Sequence, residues 1–276
     1  MGILGKDTFR ENECLLENIS MVGTINSSGK ALIYPDIIRE IRSITYYIAN
    51  ANVSGSIDGD YLHCINNLDN VEKIRFTDSH TFRFRLPDLN IMTHALTRRN
   101  FCIKIRLAIN LDFKCYIILR ERYNSIHIDK NSYNTPIEQT KIYDSVVSNK
   151  DMTIKCITVA NPTKNILIDV VSKDDNVHGD ILENVEIYVN GHIFCTIDKN
   201  ISRAIYKNTV GGELGKKFLY YDFGFGGHET NHGTIKFSDI KLIVRHKKFS
   251  GKIKYYLKNL NIMIQMDGMA ETQFML

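Results

Sequence analysis

The feature that most constrains this chain of 276 residues is a period of two in its apolar positions. In the run FCIKIRLAIN, which begins at Phe101, every second residue is apolar, and Lys104, Arg106 and Asn110 lie between them. Successive side chains of a β-strand point to opposite faces, so this alternation is typical of a strand with one face on a core and the other in solvent. The run therefore predicts a half-buried strand.

The same alternation predicts strands in further segments, which are short and separated by turn-forming residues. These segments are 80–86 and 113–120 in the first half of the chain and 153–159, 165–171, 217–226, 233–246 and 259–266 in the second. Short strands with turns at this spacing are typical of an antiparallel sandwich or barrel, and not of alternating strands and helices. We therefore expect an all-β fold.

Two turns in the second half indicate which strands are neighbours. In 185–197 the strands VEIYV and HIFCTI flank Asn190-Gly191. A type I′ hairpin turn needs positive φ at both of its central residues, and Asn followed by Gly is the pair that adopts it most readily. Similarly, 153–159 and 165–171 flank a short turn at Asn161-Pro162. We expect each of these two strand pairs to be hydrogen-bonded together.

Two segments of the first half depart from the period of two. In PDIIREIRSITYYIA the isoleucines recur at helical spacing after Asp36, which can act as an N-cap. Residues 36–49 therefore fit either one short inserted helix or a strand. Residues 129–141 lack periodicity and contain a proline, which is typical of a linker. Because this linker divides the chain nearly in half, we expect two domains, 1–135 and 136–276.

The run GTIKFSDIKLIV changes phase part-way along. Ile235 and Phe237 have odd numbers, whereas the apolar positions of the following IKLIV are mainly even. Both sets can face one core only if an extra residue is inserted between them, and a β-bulge supplies such a residue. We expect that bulge near Ser238-Asp239, with a bent strand as its consequence.

One segment matches a catalytic motif. Residues His228-Glu229-Thr230-Asn231-His232 form the H-E-x-x-H of zinc peptidases, in which a helix places both histidines on one face beside a glutamate that acts as base. Here glycines bracket the motif, which favours a loop between two strands. We expect no metal at His228, Glu229 and His232 and no catalytic residue, and a zinc hydrolase is kept as an alternative. Phosphate-binding and nucleophile-elbow motifs are missing from the sequence, so no cofactor is expected.

Composition adds limits on partners. The formal net charge is +4 and no long run of one sign concentrates it, so sequence-specific binding of nucleic acid is not expected. The six cysteines form no C-x-x-C pair, which indicates neither a zinc module nor a disulfide framework, and we expect them to be reduced and mostly buried. The charged N-terminus and the lack of a long apolar run predict neither a signal peptide nor a transmembrane segment.

The last third of the chain carries three short motifs in a fixed order. They are the hairpin ENVEIYVNGHIF, then the aromatic strand FLYYDFGF followed by a loop and HGTIKFSDIKL, and finally YYLKNLNIMIQMDGMAETQF. Over residues 183–276 these motifs resemble the second jelly roll of the double-jelly-roll major capsid proteins of large eukaryotic DNA viruses. In the third motif Met266, Gly268 and Met269 occupy the places of the family's Met-x-Gly-Met ending.

The resemblance implies two tandem antiparallel jelly rolls and a structural role in a virion. It implies homotrimers of pseudo-hexameric outline that tile an icosahedral shell with other capsid proteins, after assembly in the host cytoplasm or nucleus. The alternatives are a penton, minor capsid or assembly-scaffold protein with a related fold, and a carbohydrate-binding β-sandwich module. The residues expected to form the fold are Gly191, Gly233, Ile235, Phe237, Ser238, Asp239, Met266, Gly268 and Met269.

Overall fold

The fold is built almost entirely of β-strands. A computed structural model of the chain describes residues 2–4, 14–25, 41–48, 51–52, 55–65, 81–86, 91–92, 101–108, 113–123, 132–172, 180–224, 239–266 and 269–273. The strand pairs with a defined register in these ranges are all antiparallel. No helix in the described ranges is long and apolar enough to cross a membrane.

The elements are numbered in chain order. The strands are β1 Gly2–Leu4, β2 Cys14–Ile25, β3 Ile41–Ile48, β4 Ala51–Asn52, β5 Thr81–Leu86, β6 Ile91–Met92, β7 Phe101–Leu107, β8 Phe113–Tyr123, β9 Ser132–Thr158, β10 Thr163–Ser172, β11 Leu182–Val189, β12 His192–Asp198, β13 Phe218–Asp222, β14 Asp239–Met266 and β15 Met269–Gln273. The helices are α1 Gly59–Ile65 and α2 Lys199–Thr209. The strands predicted from alternation are confirmed in the described ranges, but the one predicted over 217–226 is shorter, because β13 ends at Asp222 and residues 223–224 form a turn.

The chain divides into two compact units. The first consists of Met1–Gln139 with Asn261–Gln273, and the second has Thr140–Leu260 as its main segment. Within the sheets the strand orders are β1-β7-β3-β4, then β5-β2-β6 with β8 also on β2, and β12-β11-β14-β10-β13 with β9 and β15 also on β14. Residues 132–141 belong to β9, so they form a strand and not the irregular linker expected there, although the boundary between the two units, Gln139–Thr140, falls within this segment.

In the first unit, β7 pairs with β3 and confirms the half-buried strand. Ile103 is buried, whereas Lys104 and Arg106 are exposed. The helical alternative for 36–49 is wrong over 41–48, which form β3, and the rest of that segment lies outside the described residues. The pairing with β7 shifts register just after Ile41, as at a β-bulge.

This shift explains the misleading spacing of the isoleucines. An extra residue moves the following side chains to the opposite face, so Ile41 and Ile44 are both buried although they are three residues apart.

Helix α1 begins directly after Asp58. The carboxylate of Asp58 accepts a hydrogen bond from the backbone N–H of Tyr61 at 3.0 Å. This is an N-cap, and it begins a helix that was not predicted from the sequence.

In the second unit, strand neighbours are not those expected from sequence order. β10 pairs with β14 on one edge and with β13 on the other, so the expected pairing of 153–159 with 165–171 is wrong. Greek-key connections commonly place non-consecutive strands side by side. The strand is buried on both faces: Ile166, Ile168 and Val170 face the main core, and Leu167 and Asp169 on the other parity are also buried.

β14 changes partner and phase along its length. Its first part, Ile240–His246, pairs with β11, and its later part, Gly251–Asn259, pairs with β10. The core-facing residues are even-numbered in the first part and odd-numbered in the second, so the strand carries an irregularity between His246 and Phe249. The even-numbered core face is confirmed, and the bulge expected near Ser238-Asp239 lies at the boundary of the described residues. The core side chains concerned are Ile240, Leu242, Val244, Phe249, Ile253, Tyr255 and Leu257.

Helix α2 covers the end strand β13. The Asp198 carboxylate caps the helix by accepting hydrogen bonds from the backbone N–H groups of Asn200 and Ile201, at 2.8 and 2.9 Å. The backbone N–H of Tyr220, on β13, donates to the Ser202 hydroxyl at 2.6 Å. An unsatisfied strand edge invites pairing with another chain, and at Tyr220 the helix supplies the acceptor instead.

Candidate assembly surface

Strand β9 folds back on itself and forms a hairpin. Lys155 donates from its Nζ to the carbonyl oxygen of Asp144 at 3.0 Å and lies 5.6 Å from the centroid of the Tyr143 ring. In a straight strand these positions would be separated by about 36 Å, at about 3.3 Å per residue. The chain therefore turns between them, and Asn149 lies there with a φ of 49°, a left-handed conformation that asparagine tolerates. We call residues 143–155 the β9 hairpin.

The inner face of the β9 hairpin is anchored by polar contacts. The hydroxyl of Thr153 lies 2.9 Å from Nε2 of His246, and Nδ1 of the same ring lies 3.0 Å from the carbonyl oxygen of Lys247. A carbonyl can only accept, so Nδ1 donates to it and, in the neutral ring, Nε2 accepts from the threonine. The contacts of Thr153 and of the His246 ring hold the hairpin against β14. Burial also raises the pKa of the Tyr143 hydroxyl from its ordinary value.

The outer face of the β9 hairpin carries three exposed apolar side chains. Val146 is 76% exposed, Met152 40% and Ile154 49%, whereas the neighbouring Val147 is buried in the main core. We call Val146, Met152 and Ile154 the hairpin patch. An ion pair borders it, with Nζ of Lys252 3.1 Å from the Asp144 carboxylate. Both side chains of that pair are about half exposed, so it adds little stability.

A second apolar surface lies on strand β12, which follows the Asn190-Gly191 turn. The φ angles of these two residues are 48° and 80°, which confirms the type I′ hairpin. The backbone N–H of Asn190 donates to the carbonyl oxygen of Asp239 at 3.3 Å. Asp239, one of the predicted fold-forming residues, is therefore bonded to the turn that contains another, Gly191.

A bulge in β12 exposes Phe194. Ile187 of β11 faces Cys195, but the next residue, Tyr188, faces Ile193, so Phe194 is the extra residue. Ile193 is 60% exposed and Phe194 46%. We call these two residues the β12 patch. The apolar run Ile193-Phe194-Cys195, which breaks the period of two, is the sequence signal that could have indicated this bulge.

Aromatic contacts support the β12 patch from the other end of the sheet. The Phe194 ring lies 6.3 Å from that of Tyr221 and 5.9 Å from that of Phe223, measured between centroids. β12 and β13 are the two end strands of the order β12-β11-β14-β10-β13, so these rings join both ends of one sheet. Such closure leaves fewer unpaired strand edges than an open sheet.

The groups beneath the β12 patch are kept uncharged. Burial raises the pKa of the Cys195 thiol, and a hydrogen bond with Tyr221 lowers it by a smaller amount. Burial, followed by the proximity of Cys195, raises the pKa of Tyr221 well above its ordinary value. Both groups are therefore neutral near pH 7. At the border, Nη2 of Arg245 lies 3.0 Å from the Glu186 carboxylate, so this patch too is flanked by an ion pair.

The remaining predicted residues fall into two groups. Met266 and Met269 are backbone partners in the β14–β15 pair, so the structure brings these two signature residues together. Gly233, Ile235, Phe237, Ser238 and Gly268, together with His228, Glu229 and His232, lie outside the described residues. Within the described ranges no group of three or more His, Cys, Asp or Glu side chains could hold a metal ion.

The four cysteines whose side chains are described form no disulfide in the structure. Cys64 is buried, Cys102 and Cys195 are half-buried, and Cys156 is exposed. The expectation that the cysteines are mostly buried is therefore wrong for Cys156. This residue lies on the same parity of β9 as Ile154 and faces outward with it.

Known proteins match this chain in structure but not in sequence. No family model matches the sequence, and no curated protein matches it. The crystal structure of PBCV-1 VP54, fitted into a cryo-EM reconstruction of the virophage Sputnik, matches with a TM-score of 0.68 at 10% identity, covering 99% of this chain and 92% of that chain. The crystal structure of the STIV MCP matches with a TM-score of 0.61 at 12% identity, covering 94% and 90%.

A third solved structure extends the likeness to a bacteriophage. The crystal structure of the major capsid protein P2 from bacteriophage PM2 matches with a TM-score of 0.51 at 12% identity, covering 91% of this chain and 90% of that chain. In all three cases the match covers nine-tenths or more of both chains, so it concerns the whole fold and not a shared fragment. The chain therefore has the all-β, double-jelly-roll fold of viral major capsid proteins, as its sequence predicts.

Proposed function

We propose that this chain is a structural capsid protein, a major capsid subunit that forms homotrimers of pseudo-hexameric outline in an icosahedral shell. The observation that carries the proposal is the likeness to VP54 over 99% of the chain, because it places a capsid-protein fold along the whole sequence. The domain boundaries that accompany it, 1–135 and 136–276, stay a prediction. A major capsid role accounts for a chain whose sequence offers no supported catalytic motif.

The chemistry of this role is association between copies. Assembly interfaces of stable oligomers have an apolar centre and a polar rim. The hairpin patch and the β12 patch each match this description, with exposed apolar side chains beside an ion pair. Large apolar side chains exposed at strand surfaces are a liability in a protein that remains single, and they suit one that is covered by neighbours.

The proposal includes a place and partners. We place the protein in the virion, in contact with other copies and with other capsid proteins, after assembly in the host cytoplasm or nucleus. No catalytic residue, cofactor or sequence-specific contact with nucleic acid is part of the proposal. A penton or minor capsid protein is the second candidate, since the fold and the patches would serve it equally.

The mass of the purified protein in solution tests the proposal. We expect particles of three times the mass of one chain, measured by mass photometry over a range of protein and salt concentrations. Pentamers would favour the penton alternative. Monomers under every condition would contradict a capsid role. In parallel, stoichiometric zinc and a hydrolase activity lost in Glu229→Gln would favour the zinc alternative over the capsid proposal.

A further inference from the structure

The Asn190-Gly191 turn places a side-chain amide next to an unshielded backbone nitrogen. Both residues are exposed, and their φ angles of 48° and 80° make them the two central residues of the type I′ turn between β11 and β12. The Gly191 nitrogen can reach the side-chain carbon Cγ of Asn190 by closing a five-membered ring. A Cβ built at Gly191 would meet no heavy atom of the described residues within 4 Å, so the space beside this nitrogen is open.

A reaction between these two groups needs no partner except water, because the chain itself holds them close together. The Gly191 nitrogen loses its proton to the solvent and bonds to Cγ of Asn190, and the bond from Cγ to Nδ2 breaks with release of ammonia. The product is a cyclic succinimide. Water then adds to one of its two carbonyl carbons and the bond from that carbon to nitrogen breaks. Opening at Cγ gives aspartate, and opening at the backbone carbonyl carbon gives isoaspartate.

Contacts with the first residue of β14 are compatible with this reaction. The backbone N–H of Asn190 donates to the carbonyl oxygen of Asp239 at 3.3 Å, and the backbone N–H of Asp239 donates to Oδ1 of Asn190 at 3.5 Å. Both distances exceed the usual value of about 2.9–3.0 Å, so these two bonds oppose a rearrangement of the turn only weakly. The second bond also points a donor at the oxygen that gains negative charge when Cγ is attacked, and such donors lower the barrier.

We infer that Asn190 is a site of spontaneous deamidation, at which the Gly191 nitrogen displaces the side-chain amide and leaves aspartate or isoaspartate in the turn. The inference goes beyond the proposed function and does not depend on assembly. Aspartate followed by glycine still suits a type I′ turn. Isoaspartate adds a methylene group to the main chain, so the two-residue connection that pairs Val189 with His192 is lost.

Peptide mapping of the whole wild-type chain, incubated for increasing times at mildly alkaline pH, tests the inference. Three other exposed asparagines serve as controls within the same molecule, Asn149, Asn200 and Asn208, and each is followed by a residue with a side chain. Asn149 is the closest match, because its φ of 49° is also left-handed. Trypsin places all three in peptides other than that of Asn190, and fragmentation localises each change from amide to acid.

The expected result is a fast conversion at Asn190 alone. It proceeds at least about tenfold faster than at each control, because only glycine adopts every conformation that ring closure needs. The rate rises with pH, since the Gly191 nitrogen must lose its proton, and isoaspartyl methyltransferase labels the product. The isoaspartyl form, separated by ion exchange, melts at a lower temperature than the wild type. Asn190→Asp, which adds the same charge without the methylene group, melts like the wild type.

Three outcomes would overturn the inference. They are equal rates of conversion at Asn190 and Asn149, a rate at Asn190 that does not change with pH, and an acid product without isoaspartate. None of them bears on the proposed function, which the mass of the assembled protein tests separately.

Discussion

At Gly251 the backbone of β14 passes so close to β10 that no side chain fits. A Cβ at this position would overlap the carbonyl oxygen of Val171 and approach Ser172 Cα, and both atoms belong to the paired backbone. We therefore expect Gly251→Ala to lower the free energy of unfolding by about 1–3 kcal/mol, the usual cost of overpacking. Urea denaturation followed by circular dichroism measures this change.

The neighbouring Ser250 provides the control for that substitution. Its side chain is exposed, so Ser250→Ala should change stability by less than about 0.5 kcal/mol. If Gly251→Ala were equally neutral, the close approach of β14 to β10 would be wrong.

Tyr255 gives the core a dependence on alkaline pH. Burial raises the pKa of its hydroxyl from 10.0 to about 12. Below pH 10 the Tyr255 hydroxyl is protonated in both the folded and the unfolded state. Between pH 10 and 12 the hydroxyl loses its proton in the unfolded state and keeps it in the folded state. Stability is therefore lost as pH rises through this window, by on the order of 2–3 kcal/mol from this group.

The Tyr255→Phe variant tests this assignment. The phenylalanine cannot ionise, so the loss of stability between pH 10 and 12 should be smaller than in the wild type by about 2–3 kcal/mol. Tyr188→Phe, at a half-buried position outside the main core, is the matched control. Identical alkaline profiles for wild type and Tyr255→Phe would show that this hydroxyl is not buried in the folded state.

At the scale of elements, helix α2 depends on its cap. Asp198 satisfies the N–H groups of Asn200 and Ile201, so Asp198→Ala should cost about 0.5–2 kcal/mol, whereas Asp198→Asn should retain most of the stability because asparagine caps equally well. Thermal melts of the two variants make the comparison. A loss of the same size in both would mean that the cap geometry does not stabilise the helix.

Strands and turns could be predicted where the sequence pattern that indicates them spans only a few residues. The Asn190-Gly191 hairpin and the strand at Phe101 follow from turn chemistry and alternation within a few residues. β3 was ambiguous because a register shift after Ile41 gives a strand the spacing of a helix. Helix α2 was missed although Asp198 and the buried Ser202, Ile205 and Tyr206 carry a cap and a helical period.

Strand neighbours could not be predicted in the same way. β10 follows β9 in the chain, yet it lies between β14 and β13, because Greek-key connections separate order in sequence from order in space. The turn at Asn161-Pro162 indicates that the chain changes direction, but it does not specify which strand pairs with β10. Pairing of this kind depends on contacts between residues that are far apart in sequence.

At the scale of the whole molecule, the fold was recognisable but the surfaces were not. Motifs over 183–276 indicated a capsid-protein jelly roll, and the likeness to solved capsid proteins confirms the fold. The hairpin patch could not be predicted, because alternation shows that Ile154 and Ile157 lie on opposite faces without showing which face is covered. The structure buries Ile157 and exposes Ile154.

We propose that this chain builds a shell by association of its own copies. Electron microscopy of the purified wild-type protein, imaged at increasing concentration, tests it most directly. We expect threefold particles with a pseudo-hexagonal outline that pack into hexagonal arrays or closed shells. A field of separate monomers at every concentration and salt would contradict it.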